Sequence, residues 1–363
     1  MTGRRAVGGY TRIGDLRKGL LVDGKARVAA TLRHELTDRP AYDFWAEEAT
    51  LNRLYEHLGY ADLTRFLDAL DVDIREVAPG LPAETALGGG VYQNYWGERY
   101  VYRDVPYGRM RDDLPGALAG CTSMTDIASF AWPRNDDVDF TGLRAQCDAV
   151  AAKGYAIRYG FADVWQRPCL VRGWENAMLD MYEHPDWMHR LSRIFTDFYR
   201  EDFRRAWEAS GGLIDLFTIY SDLGTQRGPL ISPAMFGEFV APYLGELVAW
   251  VHHLGSRVLF HSCGDVSVFI PDLIRLGVDV LDPIQPANER MAPRRLARYG
   301  SDLCFHGGID TQTVLATGTP AQVRARVRQN DAVFGSGYIV APTHLFQPDA
   351  PAENIIAVYE AFA

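Results

Sequence analysis

A histidine and a cysteine stand two residues apart in the segment Val258-Leu259-Phe260-His261-Ser262-Cys263-Gly264. The apolar run before His261 and the glycine after Cys263 predict a buried strand that ends in a turn. Histidine and cysteine suit zinc best, and a catalytic zinc site has about three protein ligands and one open position. The pair therefore predicts a metal site that needs a further ligand. The structural alternative is a hydrogen-bonded histidine beside a buried thiol.

The composition is that of an ordinary globular enzyme, with 47% hydrophobic and 23% charged residues in a chain of 363. A net charge of -10 argues against nucleic acid and against an anionic membrane surface as partners. No apolar run approaches the roughly 20 residues that cross a bilayer. The five cysteines are scattered, odd in number and without a CxxC pair, which favours a reducing cytoplasm.

The order of predicted elements points to one large domain. Residues 1–24 are expected to form a flexible arm, and residues 25–363 a single domain. Two aromatic runs on either side of Gly97 predict an inserted β-hairpin near residues 90–103. From about residue 155 onward, strands and helices alternate, which implies a parallel sheet. The number of repeats and the length favour a (β/α)8 TIM barrel over an open sheet.

Potential ligands follow several predicted strands. In such a barrel the C-terminal ends of the strands lie on one face, where active sites are built. The residues at these positions are Asp222, His261, Cys263, Asp282, Gln285, His306, Asp310 and His344. His344 is preferred as the third metal ligand, with Asp222 as the candidate for a fourth.

Several of these residues have an equally simple structural interpretation. Asp222 precedes Gly224 and could cap a turn, and Asp282 precedes a proline, a common way to begin a turn. The aromatic residues Tyr159 and Trp165 could line the cavity of a flat ligand, although such residues more often belong to a hydrophobic core.

Several motifs in one order resemble the uroporphyrinogen decarboxylase superfamily, from about Lys25 to the C-terminus. They are Asp222-Leu223-Gly224-Thr225-Gln226, Ile231-Ser232-Pro233-Ala234-Met235-Phe236, His261-Ser262-Cys263-Gly264, Asp282-Pro283-Ile284-Gln285-Pro286, Gly307-Gly308-Ile309-Asp310-Thr311-Gln312, Ala341-Pro342-Thr343-His344 and Gln347-Pro348-Asp349. The resemblance implies a (β/α)8 barrel, and a homodimer is the expected assembly. Where true uroporphyrinogen decarboxylases carry arginines for a polyanionic substrate, this chain reads Asp43-Phe44-Trp45-Ala46-Glu47-Glu48.

The His-x-Cys motif is similar to that of the methyltransferase branch, which includes the methylcobamide:coenzyme M enzymes. That resemblance implies a zinc-bound thiolate that accepts a methyl group from a corrinoid carried by a partner protein. His344 takes the place of a later cysteine ligand in that branch. From their positions in the sequence, the candidate substrate-binding residues are Tyr159, Trp165, Asp282, Gln285 and His306.

Two other functions stay open from the sequence. The first is a decarboxylase or lyase acting on a tetrapyrrole or a smaller acid, with Asp222 or Asp310 as general acid. The second is a non-catalytic binder of a tetrapyrrole or corrinoid.

Overall fold

The computed structural model describes residues 22–60, 62–105 and 108–362. Residues 1–21 of the arm predicted over residues 1–24 lie outside the described residues. In the described part of the chain, no helix combines the length and the apolar character that a membrane crossing requires.

The strands are, in chain order, β1 (Ala41–Tyr42), β2 (Ile74–Val77), β3 (Thr85–Gly88), β4 (Val91–Gln93), β5 (Arg99–Val105), β6 (Gly108–Leu114), β7 (Ala156–Ala162), β8 (Leu216–Tyr220), β9 (Gly224–Thr225), β10 (Gly228–Pro229), β11 (Arg257–His261), β12 (Val280–Ile284), β13 (Cys304–Ile309) and β14 (Tyr338–Pro342).

The α-helices are Gly24–Leu32, Glu48–Leu58, Leu63–Ala69, Met124–Ser129, Leu143–Ala151, Gln166–Arg172, Trp174–Glu183, Pro185–Ser210, Pro233–Met235, Ala241–His253, Ile270–Leu276, Pro293–Leu296, Val314–Thr317, Pro320–Phe334 and Ala352–Tyr359. A π-helical turn, Phe236–Val240, separates two of them, and short 3-10 helices are found at Asn135–Asp137, Glu289–Met291, Ala297–Tyr299 and Gly335–Gly337.

Eight of the strands, β1, β2, β7, β8 and β11 to β14, form one sheet. The strand pairs β1–β14, β14–β13, β13–β12, β11–β8 and β8–β7 are parallel. Helices follow the strands along the chain, so the fold is a (β/α)8 barrel, which confirms the prediction. The described chain divides into two compact units. The first contains residues 22–75, Gly154–Ala156 and 280–362, and the second contains residues 76–153 and 157–279.

In the first unit, β12, β13, β14 and β1 lie side by side. All five residues of β14 are buried, as expected for a parallel strand that is covered on both faces. The chain just before β2 joins β1 through Asp73, whose backbone N–H donates to the Tyr42 carbonyl oxygen at 2.9 Å. The buried Asp73 carboxylate also accepts from the backbone N–H of Tyr42 and pairs with Arg39.

In the second unit, β7, β8 and β11 are parallel neighbours. This unit also contains the long helix Pro185–Ser210. It begins with a proline and ends at Gly211, which has a φ of 70°, the left-handed conformation that glycine adopts most easily. The ring of Trp96 packs against Phe195 and Phe198 of this helix, with ring centroids 4.6 and 4.5 Å away.

The inserted element is larger than the predicted hairpin near residues 90–103. β4 and β5 form that hairpin, but β3 and β6 flank it, giving a four-stranded antiparallel sheet. The two outer strands were not predicted from the sequence. All residues of β3 are exposed, and β6 has the mostly polar sequence Gly-Arg-Met-Arg-Asp-Asp-Leu. Neither sequence has the apolar alternation that indicates a half-buried strand.

Candidate metal centre

Three potential metal ligands meet at the ends of β8 and β11, within the second unit. Ligand atoms of Asp222, His261 and Cys263 all lie within 4.8 Å of one another. Nε2 of His261 is 3.5 Å from Sγ of Cys263 and 3.9 Å from Oδ1 of Asp222. His261 is the last residue of β11 and is 9% exposed. The sequence-predicted His-x-Cys pair and Asp222 therefore lie in one cluster.

Two glycines allow the loops that carry this cluster to approach each other closely. A Cβ atom on Gly264 would lie 2.5 Å from the backbone of Gly224, and one on Gly224 would lie 2.7 Å from the carbonyl oxygen of Cys263. Gly264 also has a φ of +81°, which L side chains rarely adopt. The backbone N–H of Asp265 donates to the carbonyl oxygen of Thr225 at 2.9 Å. The close backbone contact brings Cys263 to Asp222.

The carboxylate of Asp222 forms hydrogen bonds with this loop and with the helix that follows β7. Its Oδ1 accepts the backbone N–H of Cys263 at 2.8 Å, and the side chain of Gln166 contacts both the backbone and the carboxylate of Asp222. Asp163 caps the helix that begins at Gln166, and burial raises the pKa of the Asp163 carboxyl to about 6. Sequence reasoning missed both Gln166 and Asp163. A search for polar residues directly after β7 would have found Asp163, which follows the last residue of that strand.

The donor set and its spacing fit a zinc ion. A thiolate at about 2.3 Å and an imidazole nitrogen at about 2.0–2.1 Å from a tetrahedral zinc are about 3.5 Å apart. The separation of Nε2 of His261 and Sγ of Cys263 has this value, 3.5 Å. The 3.9 Å between His261 and Asp222 is within about 0.5 Å of the spacing expected for nitrogen and oxygen ligands. Three protein ligands would leave one position for a substrate.

A second polar group, in the first unit, consists of one histidine between two carboxylates. Nδ1 of His306 contacts Oδ1 of Asp282, and its Nε2 lies 3.0 Å from Oδ2 of Asp43. All three residues are at most 2% exposed. Burial lowers the pKa of His306, but the two carboxylates raise it more, to about 9. The imidazole is therefore charged at neutral pH.

The positions of two of these residues relative to their strands differ from those predicted from the sequence. Asp282 and His306 lie inside β12 and β13, and the prediction that they follow these strands is wrong. Asp43, the third member, lies in the segment after β1, and the sequence pattern did not predict its contact with His306. It also accepts the indole N–H of Trp45 at 2.9 Å.

The remaining strand-end residues of the first unit have contacts of their own. The carboxylate of Asp310 accepts the backbone N–H of Gln312 at 2.9 Å and the hydroxyl of Thr313 at 2.7 Å, as a turn residue does. The amide of Gln285 donates to the carbonyl oxygen of Thr343 at 3.0 Å. His344 follows Thr343 and is not a member of the three-residue cluster found among the described residues. Its role as a metal ligand stays a prediction.

The two aromatic candidates are packed as core residues. Tyr159 and Trp165 are at most 1% exposed. The Tyr159 hydroxyl donates to the carboxylate of Asp202 at 3.0 Å, and burial raises the pKa of that carboxyl to about 7. Trp165 contacts the ring of Trp174 edge-on, with centroids 5.5 Å apart. A substrate-binding role for either residue stays a prediction.

Among solved structures, the chain is similar to a methyltransferase from Methanosarcina mazei. The identity is 15%, the match covers 94% of this chain and 98% of the other, and the TM-score is 0.64, which supports the barrel fold. A dihydropteroate synthase from Xanthomonas albilineans matches 55% of this chain and 64% of its own at 12% identity. Its TM-score of 0.32 is too low to add to the fold assignment.

No curated protein matches the chain. The family model described as uroporphyrinogen decarboxylase (URO-D) matches residues 166–363, more than half of the chain, including the cluster of Asp222, His261 and Cys263. The chain therefore belongs to the uroporphyrinogen decarboxylase family.

Proposed function

We propose that this member of the family is a zinc-dependent methyltransferase in which a metal-bound thiolate accepts a methyl group. The observation that carries the proposal is the meeting of Asp222, His261 and Cys263, with Nε2 of His261 3.5 Å from Sγ of Cys263. A bound zinc ion lowers the pKa of a thiol, so that a thiolate nucleophile exists near neutral pH.

The residues of the cluster have distinct parts in this proposal. His261 and Cys263 supply nitrogen and sulfur from positions fixed by the end of β11 and the following turn. Asp222 supplies an oxygen whose direction is set by the N–H of Cys263. The substrate thiolate would form a bond from sulfur to the methyl carbon. The bond between that carbon and the donor would break, and its electron pair would leave with the donor.

The proposed methyl donor is a corrinoid carried by a partner protein, and the proposed assembly is a homodimer. A carboxy-lyase is the second candidate, because the matching family model is that of uroporphyrinogen decarboxylase. The segment after β1 disfavours a polyanionic porphyrinogen as its substrate. Where arginines are expected, Asp43-Phe44-Trp45-Ala46-Glu47-Glu48 contains no arginine, so this segment offers no cation to the carboxylates of such a substrate.

Zinc content and methyl transfer test the proposal together. Protein produced with zinc supplied should contain about one zinc per chain. It should also consume methylcobalamin when 2-mercaptoethanol is present as acceptor. His261→Ala and Cys263→Ala should lose both properties. Cys121→Ala, which removes another partly exposed cysteine, should keep them.

Wild-type protein that takes up no zinc under these conditions would refute the proposed function. Metal-free protein that releases carbon dioxide from a carboxylic acid would favour the carboxy-lyase. Binding of a corrinoid without turnover, unchanged in Cys263→Ala, would favour a carrier.

A further inference from the structure

The side chain of Gln166 contacts Asp222 at two points. Oε1 of Gln166 accepts the backbone N–H of Asp222 at 2.9 Å. Nε2 of the same amide lies 3.5 Å from Oδ2 of the Asp222 carboxylate, at the long end of a hydrogen bond. The other carboxylate oxygen, Oδ1, accepts the N–H of Cys263. The orientation of the Asp222 carboxylate is thus set by a contact at each of its two oxygens, with Gln166 at Oδ2 and with Cys263 at Oδ1.

A primary amide provides both contacts. The backbone N–H of Asp222 needs an acceptor, and its carboxylate needs a donor. Glutamate offers no donor, lysine offers no acceptor, and methionine has a similar length but lacks both strong groups. The backbone N–H also fixes which end of the Gln166 amide faces which atom, because the amide oxygen must face it.

Gln166 is itself held in place by the start of its helix. Its backbone N–H donates to Oδ1 of Asp163 at 2.9 Å, and the N–H of Arg167 donates to Oδ2 at 2.6 Å. The hydroxyl of Ser221, the residue before Asp222, also donates to Asp163 at 2.6 Å. The helix after β7 and the loop after β8 are therefore joined at two adjacent positions, Ser221 and Asp222.

We propose that Gln166 is a positioning residue that orients the carboxylate of Asp222 toward His261 and Cys263. The inference rests on the proposed function, since it assigns Gln166 to the support of the same metal centre. Residues that orient metal ligands by hydrogen bonds commonly change metal affinity by about 10–100-fold when they are replaced. Loss of the amide should therefore weaken zinc binding while leaving all three ligand side chains present.

Zinc affinity of the Gln166→Met variant, measured by competition with a chromophoric chelator, tests this inference. We expect affinity to fall by about 10–100-fold. Gln166→Ala should give a similar loss without introducing a thioether. The matched control is Gln146→Met, because the Gln146 amide also makes a paired contact, with the N–H and carbonyl of Ala78. Its zinc affinity should equal that of the wild type. A Gln166→Met affinity within twofold of the wild type would overturn the inference.

Amide hydrogen exchange of the metal-free protein tests the same contact without zinc. In Gln166→Met, peptides that contain the N–H groups of Asp222 and Cys263 should exchange about fivefold faster, since loss of one hydrogen bond is worth about 1 kcal/mol. Unchanged exchange at Cys263 would show that Gln166 does not hold the Asp222 carboxylate. If the wild type bound no zinc, the proposed function would fail, and this measurement would still decide the role of Gln166.

Discussion

Nε2 of His306 lies 3.0 Å from Oδ2 of Asp43 in the interior of the first unit, and both side chains are at most 2% exposed. The other ring nitrogen of His306, Nδ1, contacts Oδ1 of Asp282. The interior of a (β/α)8 barrel is usually filled by branched apolar side chains, so a charged group of three residues is unusual there. Each buried charge has a partner of opposite sign, which is the condition under which burial of charge is tolerated.

This arrangement predicts that stability depends on pH through His306. Its pKa of about 9 in the folded protein lies above the value of about 6.5 for an unfolded histidine, so folding strengthens proton binding. The resulting stability is present in full below about pH 6.5 and is lost as the pH rises through 9. Between these limits the wild type should lose on the order of 3 kcal/mol relative to His306→Gln.

Denaturant titrations at pH 6 and pH 9.5 measure this difference in the free energy of unfolding. His252→Gln is the control, because His252 also pairs with a carboxylate, that of Asp279, but its side chain is 32% exposed. We expect that variant to follow the pH dependence of the wild type. Equal pH dependence of His306→Gln and the wild type would contradict the assignment of charge to His306.

Glu98 is predicted to be essential for the stability of the second unit. Its carboxylate, on the turn between β4 and β5, accepts from Arg167 at 2.8 Å and from Arg111 at 2.9 Å. The side chains of Glu98 and Arg167 are 4% and 14% exposed. Glu98→Ala would leave the buried guanidinium of Arg167 without this partner, and such a change typically costs about 3–5 kcal/mol.

Denaturant midpoints of Glu98→Ala and Glu35→Ala distinguish a buried from an exposed ion pair. Glu35 pairs with Arg33 on the surface, with both side chains more than half exposed, so its replacement should change stability little. A Glu98→Ala midpoint equal to that of the wild type would show that the inserted sheet does not depend on this contact. Because Arg167 follows Gln166, we also expect Glu98→Ala to weaken zinc binding.

The sequence was informative where a site residue lies next to a recognisable strand. His261 ends β11, and Asp222 follows β8 by two residues. Both were identified because active-site residues of such barrels lie at the C-terminal ends of the strands. Contacts between residues that are far apart in the chain leave no comparable pattern in the sequence. Gln166 contacts Asp222, which is 56 residues away, and a glutamine in the first turn of a helix is ordinarily a surface residue. Its role became visible only with the contact itself.

The polar interior of the first unit shows a second limit of sequence reasoning. Asp282 precedes a proline, and His306 precedes two glycines, so both were assigned to turns after their strands. In the structure β12 and β13 continue through these residues, because neighbouring charges satisfy side chains that would otherwise be costly to bury. The flanking strands β3 and β6 were missed for a related reason, since their exposed residues carry no apolar pattern.

X-ray absorption spectroscopy of the zinc-loaded protein is the most direct test of the proposed metal centre. Cys263 should appear as one sulfur at about 2.3 Å from zinc, with nitrogen and oxygen ligands at about 2.0–2.2 Å. Excess 2-mercaptoethanol should raise the sulfur count from one to two, because a thiolate would occupy the open position. A shell without sulfur, or a sulfur count that does not change with added thiol, would contradict the proposal that this cluster activates a thiol.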